Sequence, residues 1–133
     1  MLLALDAGNT NITIGVFDGA TLVDHRRLRT VREYTSDELG ILLLNLLQYA
    51  AQSPAQIHGL IISSVVPPLN AALADMSSRY FQTEAMFVTA ATDTGLTIRY
   101  ENPAEVGADR LVKGVAAFHK YGGPCVVVDL GTA

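Results

Sequence analysis

Leu2-Leu3-Ala4-Leu5-Asp6-Ala7-Gly8-Asn9-Thr10-Asn11-Ile12-Thr13-Ile14-Gly15 is the stretch on which the fold turns. The apolar run over 2–6 reads as a fully buried strand and the run over 11–17 as a second, with a glycine turn between them. A third β-rich run covers 21–29, and Asp18-Gly19 before it marks a hairpin, because that turn needs a positive φ that glycine adopts without steric penalty. The expectation is an antiparallel three-strand meander. Asp6 closes the first strand with a carboxylate. Gly8 then lets the backbone approach a ligand, and Asn9, Thr10 and Thr13 supply donors. A nucleotide phosphate and its metal call for that combination. A plain hairpin uses the same residue types for turn geometry alone, and so short a motif does not separate the two. What weighs for the phosphate is an echo near the other end, where Cys125-Val126-Val127-Val128 runs into Asp129-Leu130-Gly131-Thr132.

Outward from the meander, helix and strand alternate. Thr35, with Glu38 three residues on, predicts a capping box opening a helix that runs to about residue 51. Leu39, Ile41, Leu42, Leu43, Leu44, Leu46 and Leu47 leave that helix little polar face, so cover on more than one side is expected, with a partner surface supplying part of it. A strand is expected within 58–66, then a helix over 69–80 opened by Pro67-Pro68. Short strands are expected over 85–89 and, from its alternation, over 96–100 at an edge. Asn102-Pro103 forces a turn, and residues 108–121 show helical spacing that Gly122-Gly123-Pro124 ends. Residues 126–130 read as a new buried strand. The fold class is α/β, a mixed sheet with flanking helices. The echo at Asp129 suggests a duplication, with a first domain over 1–123 and the first strand and turn of a similar second one over 124–133.

A length of 133 residues, half of them apolar, predicts a soluble globule with a sizeable core. The net charge of −4 and the absence of any basic cluster beyond His25-Arg26-Arg27-Leu28-Arg29 argue against a nucleic-acid surface. Cys125 is the single cysteine, set in an apolar run, and reads as a small buried hydrophobe in a reducing compartment. The amino-terminal apolar run is short and has no basic leader, so a secretory signal is not expected. Residues 41–51 are too short and too polar for a membrane span. A cytoplasmic protein acting on small molecules is the expectation.

A second constellation is Tyr100-Glu101-Asn102-Pro103-Ala104-Glu105-Val106-Gly107-Ala108-Asp109-Arg110. Asp109 at a helix start could accept a proton from a substrate hydroxyl, Arg110 could steady an anion, and Tyr100 could wall a pocket. On spacing alone the plainer reading is favoured, in which Asp109 only caps the helix and Arg110 only pairs with Glu105. A helix amino terminus weakens a carboxylate as a base, although a loose phosphoryl-transfer transition state asks chiefly for positioning and charge stabilisation. His25, His58 and His119 have no ligand-like spacing. P-loop, dinucleotide and nucleophile-elbow motifs do not occur, and Ser63 and Ser64 lack an evident base.

Together, Asp6-Ala7-Gly8-Asn9-Thr10 with Gly15, Ser63-Ser64-Val65-Val66-Pro67, Asn102-Pro103 with Gly107-Ala108-Asp109-Arg110, and Asp129-Leu130-Gly131-Thr132-Ala133 resemble the successive motifs of type III pantothenate kinases. The resemblance runs along the whole chain but covers only about the amino-terminal half of a typical member. It implies a ribonuclease-H-like domain of the actin-like ATPase superfamily, with ATP in a cleft between two such domains. It implies that Asp6, Ala7, Gly8, Asn9, Thr10, Asn11, Ile12 and Thr13 form the phosphate loop, with Thr132 on the nucleotide. Tyr100, Gly107, Ala108, Asp109 and Arg110 would line the pantothenate pocket, Asp109 accepting the proton. Asp129 would hold a monovalent cation, potassium or ammonium, and Asp6 would meet the magnesium of ATP, directly or through water. The implied reaction is phosphorylation of pantothenate to 4′-phosphopantothenate by a cytoplasmic homodimer, with this piece alone inactive. A nucleotide-binding regulator on the same fold is the alternative.

Overall fold

A computed structural model describes residues 1–130. Three strands, β1 (Leu2–Ala7), β2 (Asn11–Asp18) and β3 (Thr21–Arg29), form the expected meander. They are followed by helix α1 (Ser36–Tyr49), strand β4 (Gly59–Ser64), helix α2 (Pro67–Phe81), a short strand β5 (Ala85–Phe87) and helix α3 (Ala108–Tyr121). The sheet order is β3-β2-β1-β4-β5: β1 runs antiparallel to β2 and parallel to β4, and β4 runs parallel to β5. This is the mixed α/β architecture expected. Gly19 turns the β2–β3 hairpin at φ +57°.

Period-two alternation along β1 divides the sheet into two faces. Leu3, Leu5 and Ala7 point to one, where Leu39, Leu43 and Leu47 of α1 and Leu69, Leu73 and Met76 of α2 close the core over them. Ala4 and Asp6 point to the other, which α3 covers only in part. A hollow of about 400 Å³ remains there between Ala4, Gly15, Phe17 and Ile61 of the sheet and Val112 of α3.

Helix α1 buries one face, and Ile41 on its outer side is 54% exposed, the side that a partner surface is expected to cover. Three expectations need correction. Residues 96–100 form no strand. The chain before them satisfies its backbone locally, Thr89 N–H donating to Thr92 Oγ1 at 2.9 Å and Gly95 N–H to Asp93 Oδ1 at 3.1 Å, and Leu96 packs toward Gly114 of α3 instead of pairing. Residues 126–130 are neither a strand nor buried: no described strand offers them a ladder, and Val126 and Leu130 are 90% and 94% exposed. Cys125, expected in a core, is exposed as well.

Candidate functional site

The turn between β1 and β2 is held from several sides. Gly8 N–H donates to the Asn11 carbonyl at 3.0 Å, the Thr30 hydroxyl donates to the Gly8 carbonyl at 2.7 Å, and Thr30 N–H donates to the Thr10 carbonyl at 2.9 Å. Arg32 donates to Asn9 Oδ1 at 3.4 Å. A Cβ on Gly8 would stand 3.2 Å from the Asn11 carbonyl, so the tight turn favours glycine. These bonds fix the turn before any ligand arrives, which reduces the ordering required on binding.

Opposite the turn stands the start of α3. Gly107 is its N-cap, and a Cβ there would lie 2.5 Å from Asp109 Oδ1. The missing side chain makes room for the carboxylate in the first turn, where the helix dipole favours its charge. The short 3₁₀ turn Pro103–Glu105 is closed by Asn102, which accepts from Ala104 N–H at 3.3 Å and donates to Glu105 Oε1 at 2.9 Å. Glu105 is thereby engaged, and Arg110 has no ion pair among the described residues.

Between these walls lies a cleft of about 630 Å³. Gly8, Asn9, Thr10, Asn11 and Thr13 line one side, and Gly107, Asp109 and Arg110 line the other, with Asp129 also in the lining. The fold thus brings together residues about a hundred positions apart in the chain. Other residues singled out from sequence sit differently. Asp6 accepts a hydrogen bond from the Ser63 hydroxyl at 2.9 Å and faces the neighbouring hollow, with Thr13 bordering both spaces. The side chains of Ala7, Ile12 and Ala108 are buried, which leaves only their backbone for a ligand. Tyr100 is exposed and does not line the cleft. Thr132 lies outside the described residues.

Lys113 and Arg27 line the cleft without having been anticipated. Lys113 sits one helical turn beyond Asp109; its Nζ is 2.5 Å from Asp129 Oδ2 and 3.9 Å from Asp109 Oδ2. The hydrogen bond to Asp129 raises the lysine pKa, aided by the charges of Asp129, Asp109 and Asp6 and opposed by partial desolvation. The i,i+4 spacing of Asp109 and Lys113 is a signal that sequence alone carries. Arg27, Arg110 and Lys113 put cationic groups beside the donor-rich turn, an arrangement suited to a phosphorylated anion facing an acceptor carboxylate.

The family model for type III pantothenate kinase matches residues 2–133. A type III pantothenate kinase from Solibacter usitatus is 65% identical, over 99% of this chain and 51% of that protein. Those from Koribacter versatilis and Listeria welshimeri are each 48% identical over 100% of this chain, covering 52% and 51% of their own lengths. The chain therefore spans about half the length of these curated relatives. A solved ROK hexokinase from Thermus thermophilus overlays with a TM-score of 0.47 at 18% identity, over 70% of this chain and 36% of that one.

Proposed function

Because this chain belongs to the type III pantothenate kinase family, we propose that it supplies the amino-terminal half of an enzyme that transfers the terminal phosphoryl group of ATP to the hydroxyl of pantothenate. The product is 4′-phosphopantothenate, and the reaction opens coenzyme A synthesis. The observation that carries this reading is the cleft itself, where the phosphate-type turn over residues 8–11 and the Asp109 carboxylate face one another. Backbone amides and the Asn9 and Thr10 side chains take phosphate oxygens. Asp109 holds the substrate hydroxyl in line and accepts its proton, and Arg110 with Arg27 offsets charge on the anions. In a loose transition state this positioning matters more than the basicity of Asp109.

Magnesium is commonly held by one or two carboxylates together with substrate phosphates; the Asp6 carboxylate accepts from the Ser63 hydroxyl and faces the hollow beside the cleft, so it would meet such an ion through water. Bound there, the ion would neutralise phosphate charge. A monovalent cation at Asp129 does not fit as readily, because the Lys113 ammonium already engages that carboxylate. A homodimer and a cytoplasmic setting belong to the same reading. Exposed Ile41 and Tyr49 on α1 offer apolar surface to a partner, and no helix among the described residues is long and apolar enough to cross a membrane.

The test joins this chain to the half of the Solibacter relative that it does not cover, and measures pantothenate-dependent ADP release. Turnover is expected from the joined protein and none from the 133 residues alone. In the joined protein Asp109→Asn should lower kcat by about 10²- to 10⁴-fold with an unchanged circular dichroism spectrum; a near-normal rate would remove Asp109 from the mechanism. ATP binding without phosphoryl transfer to pantothenate would favour the nucleotide-binding regulator.

A further inference from the structure

The ammonium of Lys113 occupies the carboxylate at which a monovalent cation would be expected. Its Nζ lies 2.5 Å from Asp129 Oδ2 and 3.9 Å from Asp109 Oδ2. We propose that Lys113 is the built-in cation of this cleft, standing in at Asp129 for potassium or ammonium, so that the completed enzyme works without an added monovalent cation. The activity part of this proposal rests on the kinase reading above, and the binding part rests on geometry alone.

The chemistry supports the exchange. A lysine ammonium is a compact single positive charge with three donors on a flexible stem, the same charge that a potassium or ammonium ion would bring. Here the stem is anchored on α3, and the i,i+4 spacing sets Lys113 on the same helix face as Asp109. One side chain therefore links the acceptor carboxylate to the carboxylate that follows α3. A tethered cation acts at an effective concentration that a dilute solution ion must overcome. The side chains of Lys113 and Asp129 are 36% and 47% exposed, so solution cations reach the site if the lysine is removed.

The experiment compares wild type with Lys113→Met, Lys113→Gln and Lys113→Arg in potassium chloride and in tetramethylammonium chloride at equal ionic strength. In thermal melts of the 133-residue chain, wild type and Lys113→Arg should show the same midpoint in both salts. Lys113→Met and Lys113→Gln should melt higher in potassium. In the joined protein, turnover of wild type should be equal in the two salts. Turnover of Lys113→Met in tetramethylammonium should fall by roughly tenfold or more, the loss of one charge-assisted contact, and return on adding potassium or ammonium chloride. Either of two results overturns the proposal: a wild type that melts higher or turns over faster in potassium, or neutral variants that do not distinguish the salts. If the joined protein shows no turnover in any salt, the kinase reading fails while the melts still decide the role of Lys113.

Discussion

At the scale of single residues, Gly107 shows how space rather than backbone freedom selects a side chain. Its φ is −61°, which any residue adopts, yet a Cβ would stand 2.5 Å from Asp109 Oδ1. Gly107→Ala should therefore swing the Asp109 carboxylate away and lower kcat of the joined protein by about 10²-fold, the usual penalty for displacing a reacting group by about an ångström. The melting temperature should barely move; a rate within twofold of wild type would show that the carboxylate tolerates the displacement. Gly107 and Asp109 were legible as a pair only through the family resemblance, since spacing alone favoured a helix cap. Lys113 was readable in half: its i,i+4 relation to Asp109 is in the sequence, whereas its bond to Asp129 depends on how the chain returns after Gly122.

At the scale of elements, α1 is opened by the expected capping box. Thr35 Oγ1 accepts from Glu38 N–H at 3.2 Å, and Glu38 Oε2 accepts from Thr35 N–H at 2.9 Å and from its hydroxyl at 2.8 Å. These bonds, the backbone one foremost, hold the Glu38 pKa below its ordinary 4.5. A lowered folded-state pKa means that the contribution is present above 4.5 and is lost as pH falls through the lowered value. Glu38→Gln should thus melt below wild type at neutral pH, with the gap closing below about pH 4 as Glu38 is protonated. A gap of undiminished size at pH 3 would contradict the assignment. The α1–α2 contact yields a second expectation. A Cβ on Gly40 would lie 2.4 Å from the Tyr80 ring, which is tied to Asp37 Oδ1 by its hydroxyl at 2.6 Å. Overpacking costs about 1–3 kcal/mol against about 1 kcal/mol gained from helix propensity. Gly40→Ala should accordingly lower stability in urea unfolding, but raise it in a Tyr80→Ala background. Elements with a continuous apolar run and a partner in the sheet, such as β1 and β4, were legible because burial itself writes the pattern. The alternation over 96–100 misled because it specifies a half-buried surface, and α3 supplies that surface to Leu96 without a ladder.

At the scale of the whole molecule, the site lies where the sheet topology favours it. β1 and β4 run parallel, and the cleft opens beyond their carboxyl ends, after Ala7 and Ser64, with Val65 in its wall. One sheet face is closed by α1 and α2, while the other is only partly roofed by α3, and Val126, Val128 and Leu130 follow in exposed positions. The echo at Asp129 hinted at a second unit, but its apolar run has no described neighbour to pair with, so its burial could not follow from this chain's pattern. With a boundary after residue 123, the first unit owes its stability to packing that ends with α3. A chain ending at Gly123 should then keep its far-ultraviolet spectrum and its cooperative melt, with a midpoint within a few degrees of the 133-residue chain. It should also associate less in light scattering, because the exposed valines are gone. Loss of the cooperative transition would instead make residues 124–133 part of the first core, against the exposure of Val126, Val128 and Leu130.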